Sequence, residues 1–508
     1  MGAWRGRVAV AAQSWALKAM LLGVAALAVC SFAGTAARLL YTHQMIHHTV
    51  GNAAVEVLPD ANLAAGATDF VLESEEGEPA FAELLPAAVH TPYHLTPGGG
   101  ERVVLTMVRM LQQITGETVD LWVEQSNVCK KPSCVQSVAQ LLDVKLDFTK
   151  LRVKVVDIDG ALRKQYVLWV HMANSLMPGV PSHGLFSVYH CQFPFDGARD
   201  ERPPQHLWQY LESYDTVYLN SHYTLSHYNS YLRRELQHHT YRPCLPRVTH
   251  FPPPLTLLED RVSRQSFHTK RGRNIIIVGR IFDELQGKKQ MEAIRAYRLL
   301  RQKEPHVKLY IVGSIVTGQE QYVTNVAKAA ARTPGVELLT NAKKDVLIDL
   351  MLDCLVVWSI TGMGRPANEQ PADAEHFGLA LVEAMSTGLI PIVLGKGGPV
   401  EITEGTAGAQ IVKDEKELAE KTIKIMNRNK DHLRFRNAAL ERARHQLGFE
   451  DNFKALFAPN GVQPSNQYTE QWKNMLERQP RLCDRPSVRL KQSKQRAGEL
   501  EEEEEEEE

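Results

Sequence analysis

Two acids eight positions apart, Glu375 and Glu383, stand in the string Glu375-His376-Phe377-Gly378-Leu379-Ala380-Leu381-Val382-Glu383-Ala384-Met385. The string reads as a loop entering a helix near Phe377, and at about 100° per residue the two acids end roughly 80° apart around it. Carboxylates so placed border one cleft without touching, and each can accept two hydroxyl hydrogen bonds from a sugar or ribose. The backbone N–H groups of such a helix start form an anion site, and Gly378 lets a phosphate come close. Bases are available upstream. A buried strand over 274–278 ends in Gly279-Arg280, and Lys288-Lys289-Gln290 opens the next helix. Arg280 as a planar fork and Lys288 as a point charge can converge on a diphosphate, with Lys289 nearly as good a choice as Lys288.

A second loop of this kind occurs earlier in the chain. Pro97-Gly98-Gly99-Gly100-Glu101-Arg102 lies between a strand around 88–90 and a helix, and its glycines let backbone N–H groups face a ligand. A dinucleotide fingerprint is the rival, and it fails because Val103 stands where the third Gly should be. His190, in Ser187-Val188-Tyr189-His190-Cys191-Gln192-Phe193-Pro194, closes a strand. A histidine there can also be satisfied by loop backbone alone. Asp157-Ile158-Asp159 has the form of a metal-holding acid pair, but it falls in the wrong half of the chain and reads as a fortuitous loop.

The elements that must carry these residues alternate. Strands are expected at 118–123, 166–170, 184–189 and 216–220, with a helix at 103–113. From about residue 272 the alternation is regular: strands at 274–278, 307–312, 336–339, 355–358 and 389–394, with helices such as 289–302 and 319–331 between them. Short β-branched strands alternating with helices imply parallel sheets with right-handed crossovers. Two such halves imply an α/β fold of two doubly wound, Rossmann-like domains facing across a cleft.

The chain has 508 residues, 44% hydrophobic and 23% charged, which excludes a disordered polymer and a polytopic membrane protein for its bulk. Its net charge of −1 conceals a run of eight glutamates, 501–508, behind a net positive body. Seven cysteines without a Cys-x-x-Cys pair exclude a disulfide scaffold or zinc module, although Cys129 and Cys134 can pair in an oxidising compartment. Residues 19–37 are uncharged, bounded by Lys18 and Arg38, and just long enough to span a hydrocarbon core. A transmembrane signal anchor is expected there; a cleaved signal peptide and an organelle transit segment are the competing readings. Arg5, Arg7 and Lys18 before the span place the N-terminus in the cytoplasm and the rest in the lumen of the Golgi or ER. The absence of any Asn-x-Ser/Thr sequon runs against a lumenal domain. The expected organisation is a tail (1–18), an anchor (19–37), a stem (38–85), an acceptor domain (86–268), a donor domain (269–445), C-terminal helices (446–476) and a disordered basic then poly-Glu tail (477–508).

With its following small-residue turn, the string from Glu375 to Met385 resembles the signature of retaining glycosyltransferase family 4, the glycosyl transferases group 1, whose members have the GT-B fold. The Gly279-Arg280 and Lys288 pair, Asn220-Ser221, Pro252-Pro253-Pro254 and Gly397-Gly398 follow the same family's order, and Gly98 to Arg102 resembles the version found in dolichol-linked mannosyltransferases. The resemblance covers roughly 86–445. It implies that Glu375 contacts the donor sugar, Glu383 holds the ribose, and Phe377, Gly378 and Leu379 bind phosphate. It further implies that Arg280 and Lys288 neutralise the diphosphate, His190 faces the sugar, and Gly99, Gly100 and Gly279 approach the donor. The implied reaction is transfer of a hexose from a UDP- or GDP-sugar to a glycan, lipid-linked or protein acceptor with retention. The nucleotide sugar is then a substrate; no cofactor, no metal and no nucleic-acid partner are expected, and residues 19–37 meet the membrane. The alternatives are a dolichol-linked oligosaccharide mannosyltransferase on the cytosolic face of the ER, and a non-catalytic sugar-nucleotide-binding descendant. The loop 362–374 is longer than that mannosyltransferase group would have. A nucleotide-dependent oxidoreductase lacks its glycine fingerprint in both halves.

Overall fold

A computed structural model describes residues 84–157, 165–199, 202–238, 243–261, 271–365 and 371–457. The first sheet is built from β1 (Leu85–Thr91), β2 (Val119–Glu124), β3 (Leu151–Val156), β4 (Tyr166–Ala173), β5 (Gly184–Cys191), β6 (Thr216–Leu219) and β7 (Arg247–His250). All pairings are parallel, in the order β3-β2-β1-β4-β5-β6-β7. Its helices are α1 (Gly99–Thr115), α2 (Pro132–Leu142), α3 (Gln205–Glu212) and α4 (His222–Leu236). Helices α1 and α2 cover the face carrying Val89, Leu121, Leu168 and Val170. The other face carries Trp169 and Tyr189, packed against Trp208 of α3 and Tyr228 of α4. Fully parallel sheets need both faces covered, and the near-continuous apolar runs of these strands satisfy that need.

The second sheet contains β8 (Asn274–Val278), β9 (Leu309–Gly313), β10 (Val336–Thr340), β11 (Cys354–Ser359), β12 (Ile390–Leu394) and β13 (Gln410–Val412), parallel in the order β10-β9-β8-β11-β12-β13. Helices α5 (Gln290–Arg301), α6 (Glu320–Ala331), α7 (Lys344–Asp353), α8 (Leu379–Ser386), α9 (Gly398–Thr403), α10 (Glu415–Met426) and α11 (His432–Arg444) accompany it. The faces are again divided: α5, α6 and α10 bury one, and α7, α8 and part of α11 the other. Helix α12 (Phe449–Phe457) then returns to the first sheet, where Phe449, Phe453 and Phe457 enter its core beside α1.

The expected strands lie within three residues of those observed, as parallel pairing of β-branched runs requires. Strands β3, β7 and β13 were not expected; all three are edge strands, and β7 and β13, of four and three residues, are too short for a period to register. The helix expected from residue 103 starts at Gly99. The helix expected near Phe377 starts at Leu379, because Gly378 sits at φ 114° and holds the chain out of helical geometry. Cys129 and Cys134 form a disulfide, with Cα atoms 5.4 Å apart. Among the described residues no helix is long and apolar enough to cross a membrane. The expected anchor at 19–37 and the acidic tail lie outside the described residues, as do Ile158 and Asp159.

Candidate active site

In both sheets the strand order reverses beside the first strand, between β1 and β4 and between β8 and β11. Chain leaving the carboxyl ends of strands at such a point diverges to opposite faces and leaves a crevice. The loops after β1, β5, β8 and β11 line one cavity of about 280 Å³, and the elements meeting there are those the sequence marked. Gly99, Gly100 and His190 line it from the first domain, and Gly279, Arg280, Lys288, Glu375, Phe377, Gly378 and Leu379 from the second. Of the expected site residues, Glu383 alone is not among the lining residues; it projects from α8 and forms an ion pair with Arg102 of α1.

Lys288 forms an ion pair with Glu375, to whose Oε2 the Thr361 hydroxyl also lies at 3.4 Å. Lys288 reaches this place by a close packing against Gly279. That glycine is at φ 148°, and a Cβ there would fall 2.7 Å from the Lys288 Cγ. Lys289 turns elsewhere: its backbone is left-handed (φ 57°), its side chain is buried, and its Nζ is 3.9 Å from Asp283. The choice between neighbouring lysines, open in the sequence, is settled by geometry in favour of Lys288 as the residue facing the cavity. Arg280 is exposed on the cavity rim, its guanidinium 5.5 Å from the Phe282 ring.

The loop carrying Glu375 is wedged by two glycines. The Gly398 amide donates to the Glu375 carbonyl at 2.8 Å. A Cβ on Gly398 would stand 2.4 Å from the His376 carbonyl oxygen, and one on Gly397 2.3 Å from that of Glu375. The Gly-Gly pair is therefore a close-approach element under the site, not a flexible loop.

His190 is fully buried at the end of β5. Its Nδ1 lies 3.0 Å from the Tyr218 carbonyl, which can only accept, so Nδ1 carries the proton and Nε2 is a bare acceptor. Nε2 has no protein partner in this cavity-lining side chain. Burial pushes the pKa down to about 4, so the ring is neutral at pH 7 and offers a lone pair to a hydroxyl. The backbone partner is a carbonyl of the neighbouring strand β6 and not of a loop.

Other lining residues, Gln192, Asn220, Gln286, Trp358, Thr361 and His376, were not among the expected site residues. Gln192, Asn220 and His376 stood within strings the sequence reading singled out. Gln286 carries no local signal, since only its left-handed backbone (φ 66°) in the β8–α5 loop turns it inward. Asp157, just beyond β3, is not among the cavity-lining residues.

Residues 259–442, the span of the second sheet and its helices, match the family model described as glycosyl transferases group 1. No curated protein matches the chain by sequence. Among solved structures, a glycosyltransferase from Rickettsia africae ESF-5 superposes with a TM-score of 0.52 at 11% identity, covering 74% of this chain and 100% of that one. Anabaena Alr3699/HepE in complex with UDP gives 0.52 at 15% identity, over 74% and 100%. The trehalose-6-phosphate synthase OtsA gives 0.51 at 11% identity, over 78% and 100%. At these identities the likeness concerns the fold, two facing parallel-sheet domains consistent with GT-B. The family match lies on the segment that holds Arg280, Lys288, Glu375 and Glu383, and with this glycosyl transferases group 1 domain the chain is a glycosyltransferase.

Proposed function

We propose that the chain transfers a hexose from a UDP- or GDP-sugar to an acceptor hydroxyl with retention at the anomeric carbon. The observation that carries this reading is the convergence of Gly99, Gly100, Lys288, Glu375 and the start of α8 on one cavity. In the reaction the bond between the anomeric carbon and the diphosphate oxygen breaks, and a bond to the acceptor oxygen forms on the same face. The acceptor proton passes to the leaving phosphate oxygen, since no cavity-lining carboxylate other than Glu375 is available as a base among the described residues. Lys288, Arg280 and the backbone at 377–379 stabilise the departing charge by being in place beforehand. Glu375 and the His190 Nε2 accept hydroxyls of the sugar, and Glu383 shares its carboxylate between the ribose and Arg102.

With fixed cations aimed at the diphosphate, transfer proceeds without a divalent metal. The uncharged stretch 19–37 supports a single-pass anchor with the catalytic domains in the Golgi or ER lumen, which protease protection of the intact chain in sealed vesicles checks. A screen of UDP- and GDP-hexoses, with and without a chelator, tests the function. An α-linked product from an α-linked donor, formed equally with chelator present, is expected. Inverted product, or activity restored only by manganese, would overturn the reading.

A further inference from the structure

His376, next to Glu375 in the chain, is held by groups from both domains. Its ring lies face to face on Phe193 of the first domain, with centroids 3.8 Å apart and planes 7° from parallel. Phe195 meets the same ring edge-on at 5.3 Å. The Ser221 hydroxyl, at the N-cap of α4, donates to the His376 carbonyl at 2.8 Å. From the second domain, the Gln286 side-chain amide lies 2.6 Å from Nδ1. His376 is buried, which pushes its pKa down to about 3 and keeps the ring neutral in the stack.

We propose that the Phe193–His376 stack is the interdomain contact that positions Glu375, so that the donor-facing carboxylate is aligned only when the first domain is docked. The ring and carbonyl of His376 both hang from its Cα, so holding them restrains that Cα, which is one end of the rigid peptide plane shared with Glu375. Lys288 belongs to the second domain and stays with Glu375 whether the cleft is open or closed. Phe193 and Ser221 belong to the first domain and leave His376 when it opens. Phe193 and His376 are thus positioning residues, acting through Glu375, and the inference rests on the proposed transfer reaction. A displaced carboxylate loses turnover while the nucleotide keeps its contacts, because misplacement by about 1 Å can cost on the order of 100-fold in rate.

The test uses the full chain and the variants Phe193→Leu, His376→Leu and His376→Phe, with kcat for transfer, KM for the donor sugar and affinity for free UDP and GDP. Phe193→Leu and His376→Leu are expected to bind the nucleotide within about threefold of wild type and to lose about 10- to 100-fold in kcat. The double variant should cost no more than either single one, because both remove the same contact. His376→Phe keeps a ring against Phe193 and should recover most of the turnover. Wild-type kcat in Phe193→Leu, additive losses, no rescue by His376→Phe, or nucleotide affinity falling in step with kcat would each overturn the inference. Should Phe193→Leu fail to fold, the His376 pair carries the test alone. A wild-type chain that transfers sugar while the variants match it sinks this inference and leaves the function standing. A wild-type chain inactive with every donor removes both.

Discussion

Lys288 and Glu375 form an ion pair at the cavity wall. In the proposed transfer a diphosphate brings negative charge to Lys288 and a sugar brings hydroxyls to Glu375, so both partners of the ion pair gain better-matched contacts in the donor complex. Charge-assisted hydrogen bonds of this kind are roughly twice as strong as neutral ones. Replacing Lys288 or Arg280 by Ala should lower kcat for transfer by about 100- to 1000-fold, the scale seen when one transition-state donor is removed. Glu375→Ala should do the same with the fold intact by circular dichroism. Near wild-type transfer by all three would dismiss the assignment. Glu383 differs because its carboxylate already has Arg102, contributed by the first residue after the glycine loop's acid. Which acid faces the cavity and which faces Arg102 was not legible from their spacing, since helix geometry fixes the angle between them but not what stands opposite.

At the scale of elements, the site depends on glycines that act by having no side chain. Gly398 opens α9, and any Cβ there would enter the van der Waals space of the His376 carbonyl and of Phe377 Cα at 2.6 Å. Gly318, by contrast, is at φ 84° with nothing within 4 Å of where a Cβ would stand. Gly398→Ala should therefore displace the Glu375 loop and abolish measurable transfer. Gly318→Ala should cost only about 1 kcal/mol of stability from its left-handed backbone and leave transfer intact. Transfer assays alongside thermal melts separate the two, and equal losses in both variants would show that space at Gly398 is not what matters. Ten of the thirteen described strands and the helices α1, α5, α6 and α8 were legible because their apolar period is local. The return of α12 to the first core was not. Its Phe449, Phe453 and Phe457 form one apolar stripe, and a stripe does not say which sheet it will cover.

For the whole molecule, buried neutral histidines tie stability to pH. His171 and His376 are pushed down to about 3 and His190 to about 4, chiefly by burial, and His90 is lowered well below the usual range by burial and by its neighbour His171. Each folded value lies below the free value, so between about pH 6.5 and 4 the unfolded chain takes up protons that the folded chain refuses. Stability is full above about 6.5 and falls as the pH drops, each unit of depression being worth about 1.4 kcal/mol per group. Glu401 works in the opposite sense. Burial raises it to about 7 and raises Glu101 and Glu124 too, so these three are better tolerated when protonated, against six described histidines whose values are lowered. The melting temperature of the full chain should fall steadily from pH 6.5 to 4.5, and His171→Phe should flatten that slope. A flat profile would mean that the histidine rings are hydrated in solution.

The sequence by itself determined the α/β alternation, the two parallel sheets and a set of the residues that line the cleft, among them Gly99, Gly100, Arg280, Glu375 and Gly378. It did so because strand and helix periods, glycine punctuation and the acid-and-base spacing within 274–290 and 375–383 are properties of neighbouring residues. Only the tertiary structure decided that Lys288 and not Lys289 faces the cavity, that Gln286 turns inward, that Glu383 meets Arg102, and that Phe193 lies on His376. The first two follow from packing on Gly279 and left-handed backbone at Gln286 and Lys289, the last two from contacts between the domains by residues up to 281 positions apart, and no local pattern encodes either.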